Sequence, residues 1–277
     1  MTPKHLLVPT LLGLALTLAT AASAQQQAGD RYVIPLTNPG QPVKVQVSLV
    51  YGSISVEPHA NANEVVVVAR AADDDEDGEP RRNSQGMRRL PNRSLGLSVE
   101  EQGNVVKVSM GGPPRKGSLH LLVPRKATLS LGTVNDGDLS VRGIDGELEL
   151  QNTNGSITAL DVAGSVVAHT VNGEVKVTLT RVDPRAAMAF STLNGDVDVT
   201  LPADTRASLR MRSDNGEIYS DFDVQLGAPE AKVSQGRSGG RYRLEVEREV
   251  RGTVGGGGPE IQLRTFNGDI VLRRRGA

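Results

Sequence analysis

Hydrophobic and polar residues alternate along most of the chain, and between residues 137 and 181 this alternation repeats every nine residues. Glycine begins each repeat, and the five repeats read GDLSVRGID, GELELQNTN, GSITALDVA, GSVVAHTVN and GEVKVTLTR. Apolar residues stand two and four positions after each glycine, such as Leu139 and Val141 in the first repeat. Because alternate residues of a β-strand point to the same side, each nonamer predicts one short strand and one corner.

The residues around each glycine favour sharp turns. Asn or Asp precedes most of these glycines, and such pairs readily adopt the positive φ values that tight turns need. Asparagine recurs at every second corner, which predicts a coil of about 18 residues with two strands. Stacking would place the asparagines in register as a ladder of side-chain amides. The residues expected to shape the turns are Gly137, Gly146, Asn154, Gly155, Gly164, Asn172, Gly173, Asn194, Gly195, Asn215, Gly216, Asn267 and Gly268.

The pattern as a whole favours an all-β fold, a β-solenoid in which coils with glycine corners stack like a single-stranded β-helix. Asn-Gly is also the leading signal for a β-hairpin, so an antiparallel β-meander or sandwich is the alternative. The segments 191–202, 212–222 and 264–274 keep the plan of strand, Asn-Gly and strand, with loops inserted between them. No long stretch shows the 3.6-residue period of a helix.

The first 24 residues have the order of a secretory signal peptide. An apolar run from Leu6 to Ala22 follows Lys4, and the small-residue triplet Ala-Ser-Ala ends at Ala24, where we expect cleavage. No second apolar stretch approaches the roughly 20 residues needed to cross a bilayer. The sequence therefore predicts an exported protein of the periplasm or cell surface, without an integral membrane segment after cleavage.

The rest of the chain divides into two regions. Residues 25–125 contain strand patterns without the nine-residue period, and we expect them to cap or extend the solenoid of residues 126–277. The polar insert at 72–93 cannot bury a core and is predicted to be a loop. The glycine-rich stretches 235–240 and 252–259 are likewise predicted to be loops.

Composition narrows the classes of function. The chain has no cysteine, which excludes disulfides, thiol catalysis and cysteine-bound zinc. The 31 Lys and Arg residues nearly balance the 32 Asp and Glu residues, so charge gives no support for a nucleic-acid partner. With three Phe, four Tyr and no Trp, the chain is also poor in the aromatic platforms that sugars and single-stranded RNA stack on.

Several motifs resemble catalytic or metal sites but lack essential parts. Residues 236–240 read GRSGG and match the Gly-x-Ser-x-Gly elbow of hydrolases, which needs a following helix and a later histidine. A strand-like pattern follows instead, and the last histidine is His169. The acidic run 73–77 lacks the spaced ligands of a calcium loop, and the four histidines lack zinc-binding spacing. We predict no catalytic residue, no metal and no cofactor.

Two charged features remain as candidate contact surfaces. The residues that follow the corner glycines predict a polar and mostly acidic stripe along one edge, formed by Asp138, Ser156, Glu174, Asp196, Glu217 and Asp269. Such a stripe suits a cationic surface or a sugar, or it solvates the edge and discourages sheet association. The arginines at 273–275 suit anionic lipid, although exposed terminal arginines are usually just solvated.

The motifs near the end of the chain are similar to those of a known family. Residues 193–222 read LNGDVDVTLPADTRASLRMRSDNGEIYSDF, and GGGGPEIQLRTFNGDIVLRR ends at Arg274. This set resembles the DUF4097 family of exported bacterial β-strand-repeat proteins, which carry the name adhesin. The resemblance covers residues 134–274 well and the first third weakly. It implies a β-helix-like fold and an envelope location, and it supplies no catalytic residue.

These interpretations predict a non-enzymatic, exported protein of the cell envelope that acts as an adhesin or as a structural binding module. Its partner would be an envelope protein or a glycan, which the sequence does not identify. A periplasmic accessory protein of the envelope-stress response is one alternative. A carbohydrate-active enzyme on a β-helix is the other, and it would need a cleft with two close carboxylates.

Overall fold

The computed structural model describes residues 30–71, 96–110, 116–227, 230–238 and 241–276. All 21 regular elements in these ranges are β-strands. The predicted signal peptide, the polar insert and the acidic run within it lie outside the described residues. In chain order the strands are β1 (Asp30–Pro35), β2 (Val43–Tyr51), β3 (Ser53–His59), β4 (Glu64–Ala71), β5 (Leu97–Gln102), β6 (Val105–Met110), β7 (Gly117–Pro124), β8 (Ala127–Asn135), β9 (Leu139–Arg142), β10 (Asp145–Asn152), β11 (Ile157–His169), β12 (Val175–Val182), β13 (Met188–Ser191), β14 (Val197–Leu201), β15 (Ala207–Asn215), β16 (Ile218–Ser220), β17 (Gln225–Leu226), β18 (Glu230–Ser238), β19 (Arg241–Val254), β20 (Glu260–Asn267) and β21 (Ile270–Arg274).

The body of the fold is a stack of coils, each of which gives one strand to each of two faces. On face one the parallel order is β6, β2, β8, β10, β11, β13, β20 and β15. On face two it is β7, β3, β9, β11, β12, β14, β21 and β16. The long strand β11 bends through a corner and takes part in both faces. Because the coils pair in parallel, the β-solenoid is confirmed and the antiparallel alternative is wrong for the body of the fold.

The order of the coils in space departs from their order in the chain at both ends of the stack. The last coil of the chain, β20–β21, lies between β13–β14 and β15–β16. The first coil, β2–β3, lies between β6–β7 and β8–β9. The outermost coil at each end is therefore built from an internal stretch of the chain, and the coil nearest each chain end has a neighbour on both sides.

In the described residues, antiparallel strands cover three of the four strands that end the stack, namely β6, β7 and β15. Strand β5 pairs with β6, and β4 joins β7 to β1, so both faces are closed at one end. At the other end β19 pairs with β15 and continues into a hairpin with β18. Such covers occupy backbone groups that would otherwise invite pairing with another chain.

The prediction of loops at the two glycine-rich stretches is wrong for residues 235–238 and 252–254, which are strands, and correct for residues 255–259, which connect β19 to β20. Residues 235–238 belong to β18, and β19 runs through Gly252 to Val254. Gly252 faces Leu209 of β15 and Leu226 of β17, and a Cβ built on it would meet the Val224 side chain. Glycine marks a close approach of strands there rather than a turn.

Columns of small and medium-sized apolar side chains fill the narrow core between the two faces. One column runs in register through eight coils, from Val108 through Val47, Leu131, Leu150, Ala168, Phe190 and Leu263 to Met211. The largest of these side chains, Phe190, is fully buried and has the small Ala168 as its neighbour. Faces that pack about 10 Å apart leave little room for aromatic rings, which is consistent with the low aromatic content.

A polar network fixes the loop before β2 to the β5–β6 hairpin. The Glu101 carboxylate accepts hydrogen bonds from the Thr37 hydroxyl at 2.8 Å and from the backbone N–H of Asn104 at 2.9 Å. The buried Asn104 side chain also accepts from Asn38 N–H and donates to Asn38 C=O, both at 2.8 Å. The Thr37 and Asn104 hydrogen bonds stabilise the charged form and hold the pKa of Glu101 below its ordinary value.

This network predicts a pH-dependent loss of stability. A carboxylate whose pKa is lower in the folded state than in the unfolded state stabilises the protein at any pH above the unfolded-state pKa. That contribution is lost as the pH falls through the folded-state pKa. We expect Glu101→Gln to lower the urea midpoint at pH 7 and to converge with the wild type as pH approaches 3. Glu100→Gln, on the same strand, is the matched control. Equal pH profiles for the Glu101 variant and the wild type would contradict the assignment.

Candidate functional site

A ladder of six asparagines runs along one corner of the solenoid. Five of the side-chain amide nitrogens each donate to the side-chain amide oxygen of the asparagine in the neighbouring coil, at N···O distances between 2.7 and 3.0 Å, and Asn135 is the last acceptor. The order in space is Asn135, Asn154, Asn172, Asn194, Asn267 and Asn215. The sequence indicated a ladder here but not Asn135, because an aspartate separates that residue from the corner glycine. It also gave no sign that Asn267 lies between Asn194 and Asn215.

Glycines stack beside the asparagines in the same corner. A Cβ built on Gly155, Gly173, Gly195 or Gly268 would in each case overlap the carbonyl oxygen of the glycine one coil away. The neighbouring backbones therefore approach each other more closely than any side chain allows. A second stack forms at the opposite corner, where a Cβ on Gly164 would overlap the carbonyl of Gly146.

Just inside the asparagine ladder lies a second, buried ladder that the sequence reasoning missed. A side chain two residues before each corner asparagine donates to the carbonyl of a corner glycine in the adjacent coil, at 2.8 to 2.9 Å. The donors are Thr133, Asn152, Thr170, Thr192, Thr265 and Ser213. The signal was present in the sequence as a threonine at the same position of TVNG, TLNG and TFNG.

Asn152 fits this inner ladder poorly. Its amide nitrogen donates to Gly137 C=O at 2.9 Å, but its Oδ1 is buried and has no hydrogen-bond partner in the described structure. We expect Asn152→Thr to keep the donor, remove the unpaired oxygen and raise the free energy of unfolding by about 1 kcal/mol. Urea denaturation measures this, and the reverse change Thr170→Asn should lower stability by a similar amount. A destabilised Asn152→Thr protein would contradict the account.

The predicted acidic residues lie on the outer side of the corner, where several stabilise the turn. Asp138 Oδ1 accepts from Ser156 N–H at 2.7 Å, and Asp196 Oδ1 accepts from Asp269 N–H at 2.8 Å. In the next coil Asp269 Oδ1 likewise accepts from Glu217 N–H at 2.8 Å. Within the described ranges no ion pair joins a basic residue to any of the five carboxylates Asp138, Glu174, Asp196, Glu217 and Asp269, which we call the acidic corner stripe.

The candidate serine of the Gly-x-Ser-x-Gly motif is not in a nucleophile elbow. Ser238 ends β18, and it pairs with Arg241 at the start of the antiparallel strand β19. No helix follows in the described residues 241–276. The motif therefore belongs to a hairpin, and its geometry does not support a hydrolase.

Two serine–histidine pairs on the outer surface were not predicted, because only the strand register brings them together. Ser55 Oγ lies 2.8 Å from His120 Nδ1, and Glu57 Oε2 lies 3.9 Å from His120 Nε2. His169 Nδ1 lies 2.8 Å from Ser191 Oγ. An activated serine also needs amide donors for the oxyanion. Ser55 lies inside β3, which pairs with β7 on one side and β9 on the other, so the strand's amides are committed to its neighbours.

Among the described residues, two depressions on the surface are open to solvent. One, of about 510 Å³, lies between β15, β17 and β19, and Glu260 is its one lining carboxylate. The other, of about 250 Å³, has Asp204 as its one lining carboxylate. Beside the first, burial raises the pKa of Glu249, but hydrogen bonds from Arg251 and Arg210 outweigh this effect and bring the pKa below its ordinary value. Neither depression holds the pair of carboxylates that glycoside hydrolysis requires.

Two of the terminal arginines are engaged within the protein. Arg273 bonds to Asp198 at 3.0 Å, and this contact raises the pKa of the guanidinium. Arg275 bonds to Asp161, also at 3.0 Å. In the described part of the chain no three His, Cys, Asp or Glu side chains are grouped as metal ligands. The same ranges hold no helix with the length and apolar character to cross a membrane.

Comparison with solved structures finds distant similarities. A "putative cell adhesion protein" from Clostridium sporogenes is 9% identical, with 89% of this chain and 100% of that chain covered and a TM-score of 0.45. A "putative adhesin" from Bacteroides fragilis is 9% identical, with 90% and 98% covered and a TM-score of 0.34. Another, from Parabacteroides merdae, is 7% identical, with 91% and 98% covered and a TM-score of 0.32.

Family membership rests on the sequence of the repeat region. No curated protein matches the chain. Residues 116–273, more than half of the chain, match the family described as Toastrack DUF4097. This range begins just before β7 and includes all six asparagines of the ladder. The resemblance noted from the Asn-Gly repeats is confirmed, and the chain belongs to the Toastrack DUF4097 family.

Proposed function

We propose that this protein is a non-enzymatic module of the bacterial cell envelope that binds an envelope protein or a glycan through its outer surface. The observation that carries the proposal is the concentration of exposed apolar side chains on one corner. Of the nine large hydrophobic residues exposed in the described structure, four occupy one position of the coil, directly before the ladder position. They form two pairs on adjacent coils, Val50 beside Val134 and Leu193 beside Phe266, and exposed apolar groups of this kind commonly mark an interaction site.

The enzymatic alternative has less support. The two depressions have one carboxylate each, and the serine of the hydrolase-like motif lies in a hairpin. A rigid stack of coils with an extended outer surface instead suits binding to a large partner. Turnover of a cell-wall polymer by the purified protein would contradict the non-enzymatic part of the proposal.

Export is part of the proposal, supported by the pattern of residues 1–24. Because the chain has no cysteine, one introduced cysteine becomes a unique label site. We suggest Val167→Cys, on the exposed surface of face one, with a membrane-impermeant maleimide as the reagent. The buried Ala168→Cys variant is the matched control and should stay unlabelled while folded.

The labelling pattern distinguishes the remaining alternatives. Labelling on intact cells would support a surface adhesin. Labelling only after the outer layer of the envelope is permeabilised would support a periplasmic accessory protein. Labelling only after the cytoplasmic membrane is lysed would contradict export. N-terminal sequencing of the mature protein, with Gln25 expected first, tests the cleavage site.

A further inference from the structure

The exposed apolar side chains of the corner lie along one line of six coils, which is interrupted at one coil by Thr153. Val50, Val134, Leu193 and Phe266 have exposed fractions of 56%, 41%, 46% and 46%. Val171 occupies the same position in a further coil and is partly exposed. We call these five residues the apolar corner stripe.

Strand register places the members of the apolar corner stripe side by side. Val50 and Val134 lie opposite each other, because Leu49 pairs with Thr133 and Tyr51 with Asn135. Backbone hydrogen bonds continue the line, from Asn194 N–H to Val171 C=O at 2.8 Å and from Asn267 N–H to Leu193 C=O at 2.9 Å. At the usual strand spacing of about 4.8 Å, six coils place the ends of the stripe roughly 24 Å apart.

The corner does not need apolar residues at this position in order to fold. Thr153 occupies it in the coil between Val134 and Val171, and Asp214 occupies it in the outermost coil. Asn154 still bonds to the ladder asparagines on both sides, and Asn215 bonds to Asn267. The corner turn therefore tolerates polar side chains here, and the exposed apolar ones are free to serve another purpose.

Negative charge lies on the same corner. In three coils a residue of the acidic corner stripe follows one of the apolar corner stripe by three positions, as Asp196 follows Leu193 and Asp269 follows Phe266. Its five carboxylates have no ion pair in the described structure, whereas Asp136 and Asp214 on the same corner are paired with Lys116 and Arg212. The corner thus offers an apolar line flanked on one side by uncompensated negative charge.

We propose that this corner binds a cationic amphipathic helix presented by the envelope partner, which makes the inference dependent on the proposed function. An α-helix repeats every 5.4 Å, close to the coil spacing of about 4.8 Å, so successive turns meet successive coils. An extended strand presents same-side residues only every 6.6 to 6.8 Å and drifts out of step sooner. The apolar face of the helix packs on the apolar corner stripe, and Lys or Arg residues on one flank face the acidic corner stripe.

A synthetic peptide tests the inference directly. The probe is a fluorescein-labelled Leu/Lys peptide of about 18 residues, roughly 27 Å long as a helix. Its binding to the purified mature protein is followed by fluorescence anisotropy. We expect saturable binding, and no binding by a peptide of the same composition in scrambled, non-amphipathic order.

Variants locate the binding site. Leu193→Ser with Phe266→Ser should weaken binding by about tenfold or more, because central apolar contacts dominate such interfaces. Both side chains are exposed, so the fold should be unaffected, and thermal unfolding checks this. Val167→Ser on face one removes an equally exposed apolar residue away from the corner and should leave binding unchanged.

A second pair of substitutions tests the charge. In the described structure the side chains of Glu174 and Glu217 accept no backbone hydrogen bond of the kind that Asp196 accepts, so Glu174→Gln with Glu217→Gln is a mild change. It should weaken binding about threefold at low salt and reduce the salt dependence of the affinity.

Three results would overturn the inference: equal binding of the scrambled peptide, equal loss in the Val167→Ser control, or no binding at all. Concentration-dependent dimerisation that the Leu193→Ser, Phe266→Ser variant abolishes would instead assign the corner to a second copy. None of these results affects the labelling experiment, so failure of the helix inference is distinguishable from failure of the envelope proposal.

Discussion

Replacing Gly195 with alanine is expected to destabilise the protein by about 3 kcal/mol or more. Gly195 lies in the middle of the corner glycine stack and has a φ of 145°, a conformation that residues with a Cβ rarely adopt. A Cβ there would overlap the backbone carbonyl of Gly173, and backbone atoms cannot move aside as a flexible side chain can. Relieving this overlap would require the two coils to separate, which would lengthen the backbone hydrogen bonds between their strands on both faces.

Urea denaturation of the purified protein measures this effect, with Gly132→Ala as the matched control. Gly132 lies on face one, and the nearest atom to a Cβ built there is Val47 O at 4.0 Å. We expect that variant to be neutral or slightly more stable, since alanine restricts the unfolded chain. Similar losses of stability in the two variants would show that the close approach of neighbouring coils is not the reason for glycine at the corner.

Deleting residues 255–277 is expected to disorder the adjacent coil as well as the one removed. The deleted coil carries Ile261, Leu263, Ile270 and Leu272, all fully buried. Leu263 lies in register between Phe190 and Met211, so its loss removes the core neighbour of the outermost coil. Coil β15–β16 depends on β20–β21 as its parallel neighbour and would have no place to pack.

Limited proteolysis with mass spectrometry checks this outcome. We expect a resistant fragment that ends near Leu201, the last residue of β14, rather than near Val254. Removing only Gly276 and Ala277 is the control, because Arg275 N–H still donates to Leu201 C=O at 2.8 Å. Resistance up to Val254 would mean that β15–β16 docks directly on β13–β14.

The fold class and the asparagine ladder could be read from the sequence because both depend on local periodicity. Glycines nine residues apart fix the strand length, and Asn154 and Asn172 fall one coil apart. Parallel pairing then follows, because a repeat that returns to the same corner must stack on the one before it. Beyond Gly216 the chain leaves the stack through a hairpin before it returns, and local periodicity does not encode the place of return.

The details of the corner were only partly predictable. The threonines of the inner ladder precede asparagine by two residues and were visible as a motif, but their hydrogen bonds to glycine carbonyls depend on the stacking of coils. The apolar corner stripe was hidden because Val134, Leu193 and Phe266 read as ordinary strand residues in an alternating pattern. Exposure at those positions is a property of the bend, where the side chain that follows each buried residue of the inner ladder points out of the corner.

The first and last coils of the chain each lie between two other coils, and this order also determines how such a protein can change length during evolution. An added coil cannot be appended to either chain end, because both end coils already lie between neighbours and the stack finishes in antiparallel strands. Duplication of one repeat between β8 and β14 is the compatible route, since coils there are consecutive in both chain and space. Relatives should therefore differ in steps of about 18 residues, each moving the two ends about 4.8 Å further apart.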